Sequence, residues 1–297
     1  MLRSLTAYTT DTIFVLCIDK LAYYMLQRRK IDGVTLILLD DILTAELIIA
    51  KENRTYREFC WTLSSFSLYY ILTNYNAYTS CTYLDADLYF FKTPCPLVST
   101  FLQSDYTILL TCHSYAPDYD QSATSGYYCV QFISFKRASL DVLLYWYNCC
   151  LYSCSEVHHN GIFGDQKYLD RLEELAPGLV YVHSPGSHFQ APWNSSIYPY
   201  SEAIAYHFHG LRFSGGRSLV LLSAGYYLPE PCIQYIYGTY LSVVSTIAKD
   251  YSISIPTQAN CKDFSRTIHF LRILRALILL KRVRKDSIKF YVASLPS

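Results

Sequence analysis

The stretch "CTYLDADLYFF", residues 81–91, sets two carboxylates at the end of an apolar run and then returns at once to aromatics. Asp85 and Asp87 stand at i, i+2. In an extended segment that spacing points both to the same side, within reach of one cation. Hard oxygen ligands suit Mn²⁺ or Mg²⁺, which keep part of their coordination shell for water and substrate phosphates. Such a cation neutralises a diphosphate leaving group as a Lewis acid. The stretch reads as a metal–diphosphate site at a strand's end.

Two other readings compete. A D-x-D pair can simply cap a loop, but the preceding strand and the crowded aromatics after it weigh against that. A phosphatase of the haloacid dehalogenase type also follows a strand with D-x-D. That pattern continues to Thr or Val two residues on, where Tyr89 stands, and no later carboxylate pair of the right kind follows.

The elements around the pair alternate. Residues 13–18 form a continuous apolar run and read as a buried strand; residues 20–29 read as a helix, ended by Gly33. Residues 34–39 repeat the strand and end in Asp40 and Asp41. Helices follow over 43–51 and 55–72, then a strand over 82–84. Buried strands alternating with helices indicate an α/β fold with a mixed, mostly parallel sheet and helices on both faces. Ligands of such sheets bind beyond the carboxyl ends of the strands, which puts Asp19, Asp40 and Asp85 on one edge. Further on, 106–111 and 126–135 read as strands, and 140–151 and 164–175 as helices. Residues 203–209 and 218–222 read as a hairpin around Gly215-Gly216. The stretch 267–285 reads as a basic, apolar helical tail.

Composition narrows the class. With 297 residues the chain has ample material for a core. A net charge of +1 supplies no field for nucleic acid. The 11 cysteines are odd in number and irregular in spacing, so Cys149, Cys150 and Cys154 read as reduced thiols on or near a helix. Free thiols fit a cytoplasmic protein. The first twenty residues lack a signal-peptide layout, and no run approaches the roughly 18 apolar residues of a bilayer span.

Five segments in order resemble one family. "YLDADLYFF" resembles the D-x-D segment of nucleotide-sugar glycosyltransferases with the Rossmann-like A-type fold, in particular the glycogenin-like and bacterial lipopolysaccharide glycosyltransferase group. "NRTYREFCWTLSSFSLYYIL" resembles the helix before it. "FGDQKYLDRL" resembles the G-D-Q segment, "HSPGSHFQAPWN" an H-x-G-x-N-x-A-P-W-N segment, and "YHFHGLR" the late H-F-x-G. The match runs from about residue 13 to about 212.

The resemblance implies a nucleotide-diphosphate sugar donor, expected to be a UDP-sugar, with Mn²⁺ or Mg²⁺ as cofactor. It implies a glycan or lipid-linked acceptor and transfer with retention. By position, Asp85 and Asp87 take the metal, Asp165 holds donor-sugar hydroxyls, and Gln166 sits near the anomeric carbon. Asp19 lies by the nucleotide base, Arg54 and Arg57 are candidates for the diphosphate, and Trp193 and Asn194 contact substrate. His207 and His209 fall on the same side of a continuing strand; alignment with H-F-x-G selects His207 as the third metal ligand. Plainer roles stand beside these. Asp165 can complement a helix dipole, Trp193 can be core, Arg57 can pair with a surface acid, and His158-His159 can be a solvated turn.

One segment departs from the family. Its members carry N-x-G-F in the strand after the D-x-D, and "YYCVQF" puts Cys129 and Gln131 at those positions. The alternative to an enzyme is therefore a catalytically weak or inactive protein that binds nucleotide sugars or glycans. The expected organisation is a catalytic domain over 1–257 and a helical tail over 258–297. That tail is expected either to pack on the domain or to hold it peripherally against an anionic cytoplasmic membrane face.

Overall fold

The computed structural model describes residues 1–214, 219–223, 225–250 and 292–294. The tail helix expected over 267–285 lies outside the described residues, as does the Gly215-Gly216 turn. Along the chain come β1 (Ile13–Cys17), α1 (Lys20–Gln27), β2 (Val34–Leu38), α2 (Ala45–Asn53) and α3 (Tyr56–Asn74). Next are β3 (Ser80–Leu84), β4 (Leu88–Phe90), α4 (Cys95–Gln103), β5 (Ile108–Cys112), β6 (Tyr128–Lys136), α5 (Leu140–Tyr152) and β7 (Val180–His183). Last are β8 (Phe189–Gln190), β9 (Ala205–His207), β10 (Arg212–Ser214), β11 (Leu219–Leu221), α6 (Gly238–Asp250) and β12 (Val292–Ser294). Among the described residues no helix is long and apolar enough to cross a membrane.

Contacts divide the chain into two units. The first comprises residues 1–86, 92–113 and 121–186; the second comprises 87–91, 114–120 and 187–297. The first holds a parallel pair, β1-β2, and a four-stranded sheet in the order β3-β6-β5-β7. β6 runs antiparallel to both its neighbours, and β5 pairs with β7 in parallel. The sheet is thus mixed rather than mostly parallel. The reason is the long, continuously buried β6, which takes the place between β3 and β5. The β1-β2 pair forms its own ladder, so backbone pairing does not join the strands before Asp19 and Asp40 to the sheet that carries Asp85. Asp40 there lies 3.7 Å from Lys20 and 3.8 Å from Lys51.

Helix α3 serves two cores at once. Its Leu68 and Leu72, one turn apart, pack with Ile108, Leu110, Ile133 and Phe135 of the sheet and with Leu143 and Trp146 of α5. Its Phe59, Leu63 and Phe66 pack with Leu39, Leu47 and Tyr147. Each such burial is worth about 1.5–3 kcal/mol. The helix starts on a capping box: Thr55 Oγ1 accepts from the Glu58 N–H at 3.3 Å, and Glu58 Oε2 accepts from the Thr55 N–H at 3.0 Å. Sheet residues alternate between faces. Opposite the apolar face lie Thr82, Thr111 and Ser134, and Thr82 Oγ1 meets Ser134 Oγ at 2.7 Å.

In the second unit β9 is central, pairing antiparallel with β4 and parallel with β8. Ala203, Tyr206 and Phe208 pack with Leu228, Cys232, Ile236, Tyr237 and Leu241. The hairpin expected between 203–209 and 218–222 forms instead between β10 and β11, with Arg212 opposite Leu221. β9 has buried side chains throughout and a strand on each side, so it belongs to the interior.

Candidate active site

In the second unit, strand pairing unites residues 120 positions apart. His207 stands opposite Leu88 in the β4–β9 ladder, and the Phe208 N–H donates to the Asp87 carbonyl at 3.0 Å. This register carries His207 Nε2 to 3.0 Å from Asp87 Oδ1. His207 is buried, whereas half of the Asp87 side chain stays exposed. The packed surroundings push the Asp87 carboxyl up, but the charge and hydrogen bond of His207, with help from His209, outweigh them and hold it down at about 2. Asp87 is therefore ionised wherever an imidazole is neutral, the state in which both ligate a cation. Gly210 follows at φ 80°, a left-handed turn that suits the glycine of H-F-H-G.

Trp193, expected at substrate, is buried behind this pair. Its ring meets His207 edge-on at 5.5 Å and His209 at 5.6 Å. It orients the imidazoles by packing. Asn194, also expected at substrate, is fully buried and holds its own turn. Its Oδ1 accepts from the Ala191 N–H at 2.8 Å, and its Nδ2 donates to the Phe189 carbonyl at 3.4 Å.

The first unit holds a second group of polar residues. Asp85 follows β3; its N–H donates to the Gln131 carbonyl at 3.1 Å, and Oδ1 accepts from Tyr83 Oη at 2.9 Å. Asp165 is buried, with Oδ2 accepting from Ser64 Oγ at 2.5 Å. Burial drives the Asp165 carboxyl up to about 7, against the Ser64 hydrogen bond and with a further push from the Asp85 charge. Gly164 makes this placement possible. It takes φ +52°, and a Cβ there would lie 3.4 Å from the Trp61 ring. The helix expected over 164–175 is accordingly broken into a 3-10 turn, Lys167–Arg171, and one α turn, Leu172–Leu175. Gln166 stands at the start of that 3-10 turn.

Three sequence candidates take structural tasks. Asp19 caps α1, accepting from the Ala22 N–H at 2.8 Å. Arg57 pairs with Glu156 at 2.9 Å on the surface, the plainer role foreseen for it. Arg54, expected at a diphosphate, instead donates to the last carbonyls of α5: to Cys150 O at 2.7 Å, to Leu151 O, and also to Thr62 Oγ1. A helix end leaves such carbonyls without internal donors, and a cation there also suits the dipole. Arg54→Met is expected to lower the unfolding free energy by about 2–3 kcal/mol. Arg57→Met should stay within about 0.5 kcal/mol of wild type. Equal losses in urea unfolding would contradict this division of roles.

Ser64 is a buried polar residue of this group that the sequence pattern does not mark. A signal for Ser64 exists: "TLSSFS" puts hydroxyls among core aromatics of one helix, and Thr62, Ser64 and Ser65 are all buried. Buried hydroxyls require partners.

No family model matches the chain. It is 30% identical over 234 residues to the uncharacterized protein YfnF of Bacillus subtilis, spanning 71% of this chain and 76% of that one. It is 27% identical over 261 residues to the uncharacterized protein YfnD of the same organism, spanning 81% and 82%. Among solved structures, it is similar to a glycosyltransferase involved in the glycosylation of the major capsid of PBCV-1. That match has a TM-score of 0.42 and 11% identity, covering 67% of this chain and 92% of the other.

Proposed function

This chain belongs to the family of Bacillus subtilis YfnF, and from the site it carries we propose that it is a metal-dependent glycosyltransferase with an A-type fold. It moves a sugar from a nucleotide-diphosphate sugar, the UDP form by preference, to a hydroxyl of a glycan or lipid-linked acceptor, with retention. The observation that carries the reading is the Asp87–His207 pair. The second carboxylate of D-A-D and the histidine of H-F-H-G, 120 residues apart in the sequence, meet at 3.0 Å.

Asp85, Asp87 and His207 are the proposed ligands. Two carboxylates and an imidazole form an oxygen-rich donor set that fits Mn²⁺ or Mg²⁺. The bound cation supplies charge neutralisation for the departing diphosphate. The other roles belong to the chain itself. Tyr83 orients Asp85, and Trp193 orients His207. Asp165 holds donor-sugar hydroxyls, and Gln166 lies near the anomeric carbon. Most of the rate then comes from holding donor and acceptor in line. The basic, apolar stretch 267–285 is proposed to bring the enzyme to a membrane-borne acceptor.

Thermal unfolding with a panel of nucleoside diphosphates, with and without Mn²⁺, tests the reading. Stabilisation by uridine diphosphate only when Mn²⁺ is present is the expected result. Absence of any metal-dependent stabilisation would overturn it. In Mn²⁺ titrations with the diphosphate present, His207→Ala should weaken metal binding tenfold or more, and His209→Ala should have little effect. The opposite pattern would reassign the ligand to His209.

A further inference from the structure

Helix α1 has no fully buried residue across Lys20–Gln27. Asp19 caps its start, with the carboxylate turned onto the Ala22 N–H at 2.8 Å. Ala22, Tyr23, Met25 and Leu26 are partly buried and form the inner face. Leu21, Tyr24 and Arg28 stand at i, i+3 and i+7, which sets them in one stripe along the outer face. A helix on a protein surface ordinarily keeps that stripe polar. Here it opens on two apolar bodies in solvent: Leu21 is 70% exposed and Tyr24 is 52% exposed.

The charges beside the stripe are mostly positive. Arg28, Arg29 and Lys30 come at the helix's end, and no carboxylate stands between Lys20 and Ile31. Over residues 19–32 four cations, Lys20, Arg28, Arg29 and Lys30, less two acids, Asp19 and Asp32, leave +2. At the helix's start a single carboxylate, Asp40, serves two cations, Lys20 at 3.7 Å and Lys51 of α2 at 3.8 Å. The helix spans about 12 Å, so the apolar pair and the cations make one patch. A scattered exposed leucine needs no explanation. A leucine and a tyrosine one turn apart, edged by cations, have the composition of a helix that lies in a membrane interface. Tyrosine suits that depth, with its ring in the apolar layer and its hydroxyl in water. Basic side chains meet anionic headgroups there. A soluble polyanion would pair with the cations but leave Leu21 and Tyr24 in water. We infer that the outer face of α1 is a membrane-docking surface: Leu21 and Tyr24 enter the interface, and Arg28 and Lys30 pair with anionic lipid headgroups. This contact is separate from the stretch 267–285, and it does not depend on the reaction that the protein catalyses.

Flotation of the full-length protein tests it, with vesicles of phosphatidylcholine alone and of an equimolar mixture of phosphatidylcholine and phosphatidylglycerol. Wild type should bind the mixed vesicles tenfold or more tightly than the neutral ones. The double variants Leu21→Ser/Tyr24→Ser and Arg28→Gln/Lys30→Asn should each lose fivefold or more in affinity for the mixed vesicles. Asparagine is chosen because Lys30 has φ 46°, a left-handed backbone that asparagine tolerates. All four side chains are exposed, so the melting temperatures without lipid should stay near that of wild type. Failure of wild type to bind the mixed vesicles, or equal binding to both kinds, would overturn the inference. Undiminished binding by either double variant would overturn it too, the first by removing insertion and the second by removing the charge contact. Should the serine variant not fold, Tyr24→Trp decides on insertion by itself. Its added emission should shift to the blue on mixed vesicles and be quenched by brominated lipid. Emission unchanged by vesicles would place α1 outside the bilayer and refute the contact.

Discussion

Asp87→Asn yields a folded protein whose Mn²⁺-dependent kcat/KM is lower by at least about a hundredfold. Asparagine keeps the shape of the side chain and an acceptor for His207 Nε2, which Asp87 Oδ1 now meets at 3.0 Å. What is lost is the charge. A neutral amide is a poor ligand for a hard dication, and several kcal/mol of charge stabilisation in the transition state go with it. Because the ladder between β4 and β9 is made by backbone groups, the melting temperature should move little. Single-turnover transfer from UDP-glucose, UDP-galactose and UDP-N-acetylglucosamine, with saturating Mn²⁺, is the measurement. Near-normal turnover in the variant would remove Asp87 from the metal site.

Asp165→Asn should act in two opposite directions. The Asp165 carboxyl is raised from 3.8 to about 7 by burial. The folded state thus binds a proton that the unfolded state has released between about pH 4 and 7. Wherever the native state holds more protons, stability falls as pH rises. The contribution of Asp165 is complete below about pH 4, declines up to about pH 7, and is absent above it. Asparagine mimics the protonated form and still accepts from Ser64, so the variant should be flat across this window. It should exceed wild type by on the order of 2–4 kcal/mol near pH 8. Parallel curves of unfolding free energy against pH would show that the carboxyl is not raised. Activity should fall at the same time, by about tenfold or more, if Asp165 holds a sugar hydroxyl through a charged oxygen. A variant that is both more stable and fully active would leave Asp165 a structural role alone.

Much of this architecture was legible in the residue pattern. Apolar runs bounded by Asp, Gly and polar residues marked β1, β2 and β3, and helical spacing marked α3 and α5, because each element must present a continuous apolar face to a core. The spacing of Asp85 and Asp87 and the order of H-F-H-G were equally local, and both pointed to cation chemistry. Pairing between strands is not local. Nothing in "YYCVQF" says that β6 enters between β3 and β5 or that its register slips by a bulge, so the sheet is mixed and Gln131 sits beside Asp85. The fates of the two arginines were decided in the same way. Arg54 and Arg57 lie three residues apart with the same chemistry, yet the end of α5 presents its carbonyls to one and the surface acid Glu156 pairs with the other. Charge state was also beyond the sequence: one aspartate is held near 2 by two histidines and another is raised to about 7 by burial. Residue types and spacings determined which groups could do chemistry here. Their partners, protonation and burial were set by contacts between segments up to 120 residues apart, and only the folded chain makes those contacts.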